Sequence, residues 1–273
     1  MRRPLKHLIK VAISGLAALI LPAGSAHAHL IGTRFGDFYA GAFHPLTDLN
    51  DVVLWIALGL LAGSLGTLGL ILEVSLKVLP VPFDDATLRF AMGQAEAIDQ
   101  LNKWGGQPLP IAASAWHDGF LHVRLSGATA AVCAARDNLG GEVIDASHAQ
   151  QLWTALREQT HSFFSPANDA GHALWRIAVP TVCKPLDLPG AQLVEWGGGQ
   201  RWWIAPDDSA ASADRVRAAA QAASGHATLF RNGDKSVGVF TPLSSPLAAI
   251  HKRLKDTFDP AGIFNPQRMY NGL

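Results

Sequence analysis

The stretch Gly59-Leu60-Leu61-Ala62-Gly63-Ser64-Leu65-Gly66-Thr67-Leu68-Gly69 decides how this chain is read, because it fits either of two unlike neighbours. Joined to the residues before it, it continues an uncharged, proline-free run from Val52 to Leu72. As a helix that run would reach about 31 Å, the thickness of a bilayer core. Asp48 and Asp51 flank one end, Glu73 and Lys77 the other, and Gly59-x-x-x-Gly63 suits close helix packing. Joined to the residues after it, the glycines at 63, 66 and 69 have the spacing of a tight loop entering a strand. Leu70 to Pro80 begins apolar and then alternates, with Glu73, Ser75 and Lys77 on one face, the pattern of a half-buried strand ended by proline. Length favours the span and glycine spacing favours the loop; both readings stand.

Upstream, Met1 to Ala28 has the three parts of a secretory signal. Arg2, Arg3, Lys6 and Lys10 form the positive region, Val11 to Leu21 an apolar core too short to span, and Ala26-His27-Ala28 the small-residue cleavage site. If the signal is cleaved and the later run spans, residues beyond Glu73 face the cytoplasm, in keeping with Lys77 on that flank. The expected placement is therefore inner-membrane association with a cytoplasmic carboxy-terminal domain.

Composition narrows the function. The 22 basic and 22 acidic residues cancel, and Lys and Arg are interspersed with acids, so nothing favours a nucleic-acid partner. Cys133 and Cys183 are the only cysteines, without a CxxC or a nearby His. They read as reduced, small core side chains, and no metal site is expected.

From Leu65 onward the pattern is that of an α+β domain. A strand at Thr87–Met92, a helix at Gln94–Trp104 stopped by Gly105-Gly106, and a hairpin at Ile111–Trp116 and Phe120–Leu125 come first. A helix at Ala128–Leu139 and a short strand at Glu142–Ile144 complete the order of a split βαβ, ferredoxin-like unit. The pattern then partly recurs. It runs through a helix at Gln150–Glu158, a strand at Leu174–Val179, a hairpin around Gly197-Gly198-Gly199, a helix at Ala213–Ala223 and a strand at Ala227–Arg231. One continuous antiparallel sheet with helices on one face is expected. Trp153, Trp175, Trp196, Trp202 and Trp203 read as core, with any that stay exposed serving a subunit surface. His117, His122, His226 and His251 have no obvious carboxylate partners and read as structural or solvated.

The tail runs from a helix at Ser245–Thr257 into Phe258-Asp259-Pro260-Ala261-Gly262-Ile263-Phe264-Asn265-Pro266-Gln267-Arg268-Met269-Tyr270. Two prolines around a glycine turn make a rigid loop that projects Asn265 and Arg268. This run, together with Gly63-Ser64-Leu65-Gly66-Thr67-Leu68-Gly69 and the Glu-Val-Ser-Leu-Lys-Val-Leu-Pro strand upstream, resembles the vanillyl-alcohol-oxidase-type (PCMH-type) flavoproteins. Within them it is most similar to the FAD-binding E subunits of bacterial glycolate oxidases. Gln107-Pro108-Leu109-Pro110, Phe163-Phe164-Ser165, Leu174-Trp175-Arg176-Ile177, Asp187-Leu188-Pro189-Gly190, Trp196-Gly197-Gly198 and Gly225-His226-Ala227-Thr228 extend the likeness in order.

The resemblance implies a terminal piece of an FAD domain over 63–82 and a cap domain over 83–273. It implies FAD as cofactor, oxidation of a 2-hydroxy acid as activity, and flavoprotein and iron–sulfur subunits as partners. Its cofactor-proximal positions map to Gly63, Ser64, Gly66, Gly69, Asn265 and Arg268, with Gln267 standing where the family commonly has glycine. No catalytic base is implied. Most of an FAD domain has no counterpart in the sequence, so activity of the chain alone is not expected.

Residues 29–62 differ in kind. Gly36 to Asp48, with His44-Pro45 followed by Asp48, resembles the first helix of hydrogenase/urease accessory membrane proteins (the HupE/UreJ family). That implies a membrane-protein leader fused to a flavoprotein cap. The alternative function is a non-enzymatic, membrane-anchored interaction module, or a remnant of a HupE/UreJ-type nickel-related membrane protein.

Overall fold

The computed structural model describes residues 63–73, 81–207 and 209–272. The signal, the leader, the first part of the 52–72 run and the body of the 70–80 strand lie outside them. The compact unit Ser64–Leu273 holds every element named below.

Its elements are β1 (Asp84–Ala91), α1 (Gln94–Gly105), β2 (Ile111–His117), β3 (Phe120–Gly127), α2 (Thr129–Leu139), β4 (Glu142–Ile144) and α3 (Ala146–Arg157). A 3-10 turn at Ser162–Phe164 leads into α4 (Ser165–Asp169), β5 (Leu174–Ala178), β6 (Gln192–Glu195), β7 (Gln200–Ile204), α5 (Ala210–Ala222), β8 (His226–Arg231) and α6 (Ser245–Phe258). All eight strands form one sheet in the order β4-β1-β3-β2-β6-β7-β5-β8, and every pairing is antiparallel.

Read from each outer edge, the two halves have the same order: β4-β1-β3-β2 and β8-β5-β7-β6. The first half is the expected split βαβ unit. The second repeats it, and the halves join where Ala115 and Trp116 of β2 face Glu195 and Val194 of β6. The second unit lacks its first crossover helix. In its place the irregular segment 179–191 is held by side chains that satisfy its carbonyls. Fully buried Arg201 donates to the carbonyls of Gly198, Lys184 and Cys183. Trp203 Nε1 donates to Pro189 O at 2.7 Å, and Gln192 Nε2 to Leu186 O at 3.0 Å. Carbonyls that such a segment turns toward the sheet need partners, because an unmet carbonyl away from water is costly.

The helices cover both faces of the sheet, which corrects the one-face expectation. On one face α1 and α2 pack Ala97, Leu101, Val132 and Ala135 against Leu88, Leu121 and Val123. On the same face α5 packs Ala213, Val216 and Ala220 against Trp175, Ile177 and Trp203. The opposite face has its own core of Ala115, Leu174, Leu193 and Trp202 beneath Leu156, Phe163, Phe164 and Ala167. The cause is legible in β7: consecutive Trp202 and Trp203 point to opposite faces, so both faces need an apolar cover. The cover starts early, because Asp145 accepts from the amides of Ser147 and His148 and so caps α3 ahead of its expected start.

The 52–72 run does not continue as helix. Ser64 to Leu68 are turn and bend, and Gly69 to Glu73 are irregular. Leu65 (φ 52) and Gly66 (φ 76) are left-handed, a geometry no membrane helix contains. Leu70, Ile71 and Leu72, expected to begin a half-buried strand, are irregular and exposed. Among the described residues no helix is long and apolar enough to cross a membrane.

Candidate functional site

The two ends of the unit meet in a clasp. Helix α6 begins with Pro246 in its first turn, where the missing amide hydrogen is harmless, and presents Lys255 in its last turn. Lys255 is the one buried residue of that helix. Its Nζ donates to Asp259 Oδ2 at 2.6 Å, to Phe264 O at 2.6 Å and, across the chain, to Thr67 O at 2.7 Å. Three acceptors match the three protons of an ammonium group.

Asp259 closes the helix and organises the loop after it. Its carboxylate accepts from the amides of Ile263 (3.1 Å) and Phe264 (2.8 Å) as well as from Lys255. Burial by itself would raise its pKa, but the Lys255 ammonium and the two amides outweigh that and hold it at about 2. Gly262 (φ 65), Asn265 (φ 37) and Gln267 (φ 62) then take left-handed geometry between and beside the two prolines.

The loop seats Asn265 on the glycine turn. Asn265 Nδ2 donates to Leu65 O at 3.0 Å, and a Cβ on Gly66 would lie 2.9 Å from that nitrogen. The turn is closed by Thr67, whose amide and hydroxyl both donate to Ser64 O. Ser64 and Thr67 are buried.

Of the six positions expected near a cofactor, the structure therefore brings Ser64, Gly66 and Asn265 to one place. Arg268 lies further along the same loop, its amide donating to Asn265 O at 3.2 Å, and its exposed side chain has no hydrogen-bonded partner among the described residues. Gly63 and Gly69 lie on either side of the turn, and a Cβ at either would meet nothing within 4 Å. Lys255, Thr67 and Asp259 were not singled out from the sequence. The signal for two of them was present: Lys255 and Asp259 stand four apart at a helix end.

These residues fit a flavin nucleotide in kind. A glycine turn with an open side exposes backbone amides, and Arg268 is an uncommitted cation, both suited to an anionic or oxygen-rich cofactor. Nothing in the clasp is a general base.

Three histidines form a second polar group on the face that carries Trp202. The His117 ring lies edge-on to His161 (5.4 Å) and to Phe163 (5.3 Å). Burial, then Arg89 and the two neighbouring imidazoles, lower the pKa of His122 to about 4. His117 is lowered by burial and by His161, and His161 by burial. His117 and His122 thus cluster with His161 in a half-buried group, while His251 packs against Tyr270. Glu195 is raised by burial, although Trp202 Nε1 and Gln200 Nε2 donate to it.

Of the five tryptophans read as core, Trp175, Trp202 and Trp203 are buried and Trp153 is half-buried. Trp196 is 76% exposed at φ 54, on the β6–β7 turn. Cys133 and Cys183 are free and half-buried. Among the described residues no group of three or more His, Cys, Asp or Glu is placed to hold a metal.

No family model matches the chain. The glycolate oxidase subunit GlcE of Escherichia coli (strain K12) is 41% identical over 264 residues, spanning 95% of this chain and 70% of that protein. The chain belongs to the GlcE family of glycolate oxidase subunits. A match of that extent takes in the sheet and much of the segment ahead of Gly63, so the family likeness is broader than residues 63–273 alone.

Proposed function

We infer that the chain serves as the FAD-binding-type subunit of a glycolate oxidase complex and takes part in oxidation of a 2-hydroxy acid. The observation that carries this reading is the 41% identity to a glycolate oxidase subunit over 95% of the chain. The clasp supports it: residues far apart in sequence converge on one glycine turn and leave its outer side open.

When bound, FAD supplies the acceptor for the hydride that leaves C2 as a 2-hydroxy acid becomes a 2-oxo acid. The residues that would hold it are Ser64, Gly66 and their amides, flanked by Gly63 and Gly69, together with Asn265 and Arg268. Lys255 and Asp259 do not reach the ligand side; they fix the loop that presents Asn265 and Arg268.

Turnover on this reading requires partner flavoprotein and iron–sulfur subunits to complete the site and accept electrons. The amino-terminal signal and HupE/UreJ-like leader would hold the assembly at the inner membrane. Reconstitution of the purified chain with FAD tests the core of the reading. Uptake of flavin with a visible absorbance band supports it, and a folded chain that takes up none sinks it. Alkaline carbonate extraction tests the membrane placement, which fails if the chain is fully released.

A further inference from the structure

Five arginines lie on strands of the sheet: Arg89, Arg124, Arg176, Arg201 and Arg231. Four are committed. Arg89 bonds Glu142, Arg124 bonds Asp85, Arg201 bonds three carbonyls, and Arg231 bonds Asn168 and Gln159. Arg176, in the middle of β5, has no hydrogen-bonded or ion-paired partner among the described residues, and it is exposed. Its guanidinium is not loose. It sits over the Phe230 ring at 5.6 Å, and Phe230 is in turn held edge-on to Trp202 at 5.0 Å. Glu195, the carboxylate of β6 on this face, has one oxygen taken by Trp202 Nε1 and Gln200 Nε2 and is no partner for it.

Register places this cation beside the clasp's loop. Arg176 faces Trp202 on β7 and Thr228 on β8. Thr228 bridges to Phe240, just outside the sheet. Phe240 packs on Tyr270, two residues past Arg268, and Tyr270 packs on His251 of α6. Two strand spacings put Phe240 about 10 Å from Arg176. The open guanidinium thus lies one strand in from the sheet edge at which Phe240 meets Tyr270, the end of the loop that bears Asn265 and Arg268.

We propose that Arg176 binds the carboxylate of the 2-hydroxy acid, with its guanidinium fork pre-aligned over Phe230. This rests on the functional reading above and adds the residue that recognises the substrate. A planar guanidinium with free N–H groups pairs both oxygens of a carboxylate. Its aromatic surround of Phe230 and Trp202 suits a small, compact acid, and the neighbouring strand arginine, Arg231, is tied to Asn168 and Gln159.

The test is equilibrium titration of the full-length chain with glycolate and with the neutral analogue glycolamide, followed calorimetrically. Arg176→Gln is expected to raise the Kd for glycolate roughly 10- to 100-fold, the scale of one charge-assisted pair, without altering the thermal melt. Arg176→Lys should fall between, because it keeps the charge and loses the fork. It also serves as the folded variant should Arg176→Gln misfold. Glycolamide should bind weakly and equally to all three. Glycolate affinity unchanged in the variants, or no preference for glycolate over glycolamide in the natural chain, overturns the proposal. Flavin uptake measured on the same preparations reports on the functional reading separately. A chain that binds glycolate through Arg176 but takes up no flavin would defeat that reading and leave this proposal standing.

Discussion

Replacing Gly66 by alanine probes the clasp at the point where its two ends touch. The backbone there has φ 76, and a new Cβ would lie 2.9 Å from Asn265 Nδ2. The left-handed geometry alone costs about 1–2 kcal/mol for a residue with a Cβ. Pushing the Asn265 amide away also breaks its bond to Leu65 O, an exposed hydrogen bond of about 0.5–1 kcal/mol. Gly66→Ala should therefore lose about 2–3 kcal/mol in urea unfolding, and Asn265→Ala only about 0.5–1 kcal/mol. The double variant is the decisive one. With the amide gone the steric conflict disappears and the hydrogen bond is lost once rather than twice. The double variant should then be more stable than the sum predicts by about 1 kcal/mol. Strict additivity of the two changes would refute the claim that Gly66 is glycine because Asn265 docks there.

The same structure makes further demands. Because His122 is held at about 4 against an ordinary 6.5, the unfolded chain binds more protons between those values. Stability should be full above pH 6.5 and fall as pH drops toward 4, by about 1–2 kcal/mol after discounting for partial exposure. His122→Phe should flatten that slope in pH-dependent melts. Arg201→Met would remove the guanidinium donor from the carbonyls of Gly198, Cys183 and Lys184, the last of which keeps the Cys183 thiol, and should cost about 3 kcal/mol, with loosening of segment 179–191 visible in hydrogen exchange. Gly225→Ala would place a Cβ 2.1 Å from Ala178 O, which cannot move without disturbing β5, and a loss of about 2–3 kcal/mol in thermal melts is expected.

Much of this architecture was legible from sequence because local signals and tertiary demands agree. Glycine pairs end helices, the His117-Asp118-Gly119 turn makes a hairpin, and the first ferredoxin-like unit appears element by element. The doubled apolar character of β7 was equally visible in Trp202-Trp203, and it is what puts helices on both faces. The strand at 70–80 failed over its described part because alternation requires a partner to define its buried face, and Leu70 to Leu72 are exposed. Among the residues that meet in the clasp, Ser64, Gly66 and Asn265 stand in motifs that the sequence already marked. Lys255 was not, since a lysine in a helix's last turn normally marks a solvated end. Its role depends on Thr67, nearly the whole unit away in sequence. Arg176 was likewise silent, because a strand arginine declares itself only once every other strand arginine is seen to have a partner.

Flavin binding by the purified full-length chain is the most direct test of the proposed role. The natural chain should take up FAD with a visible absorbance band, and Gly66→Ala or Asn265→Ala should weaken that uptake while leaving the protein folded. A folded natural chain that stays colourless in excess FAD would contradict it.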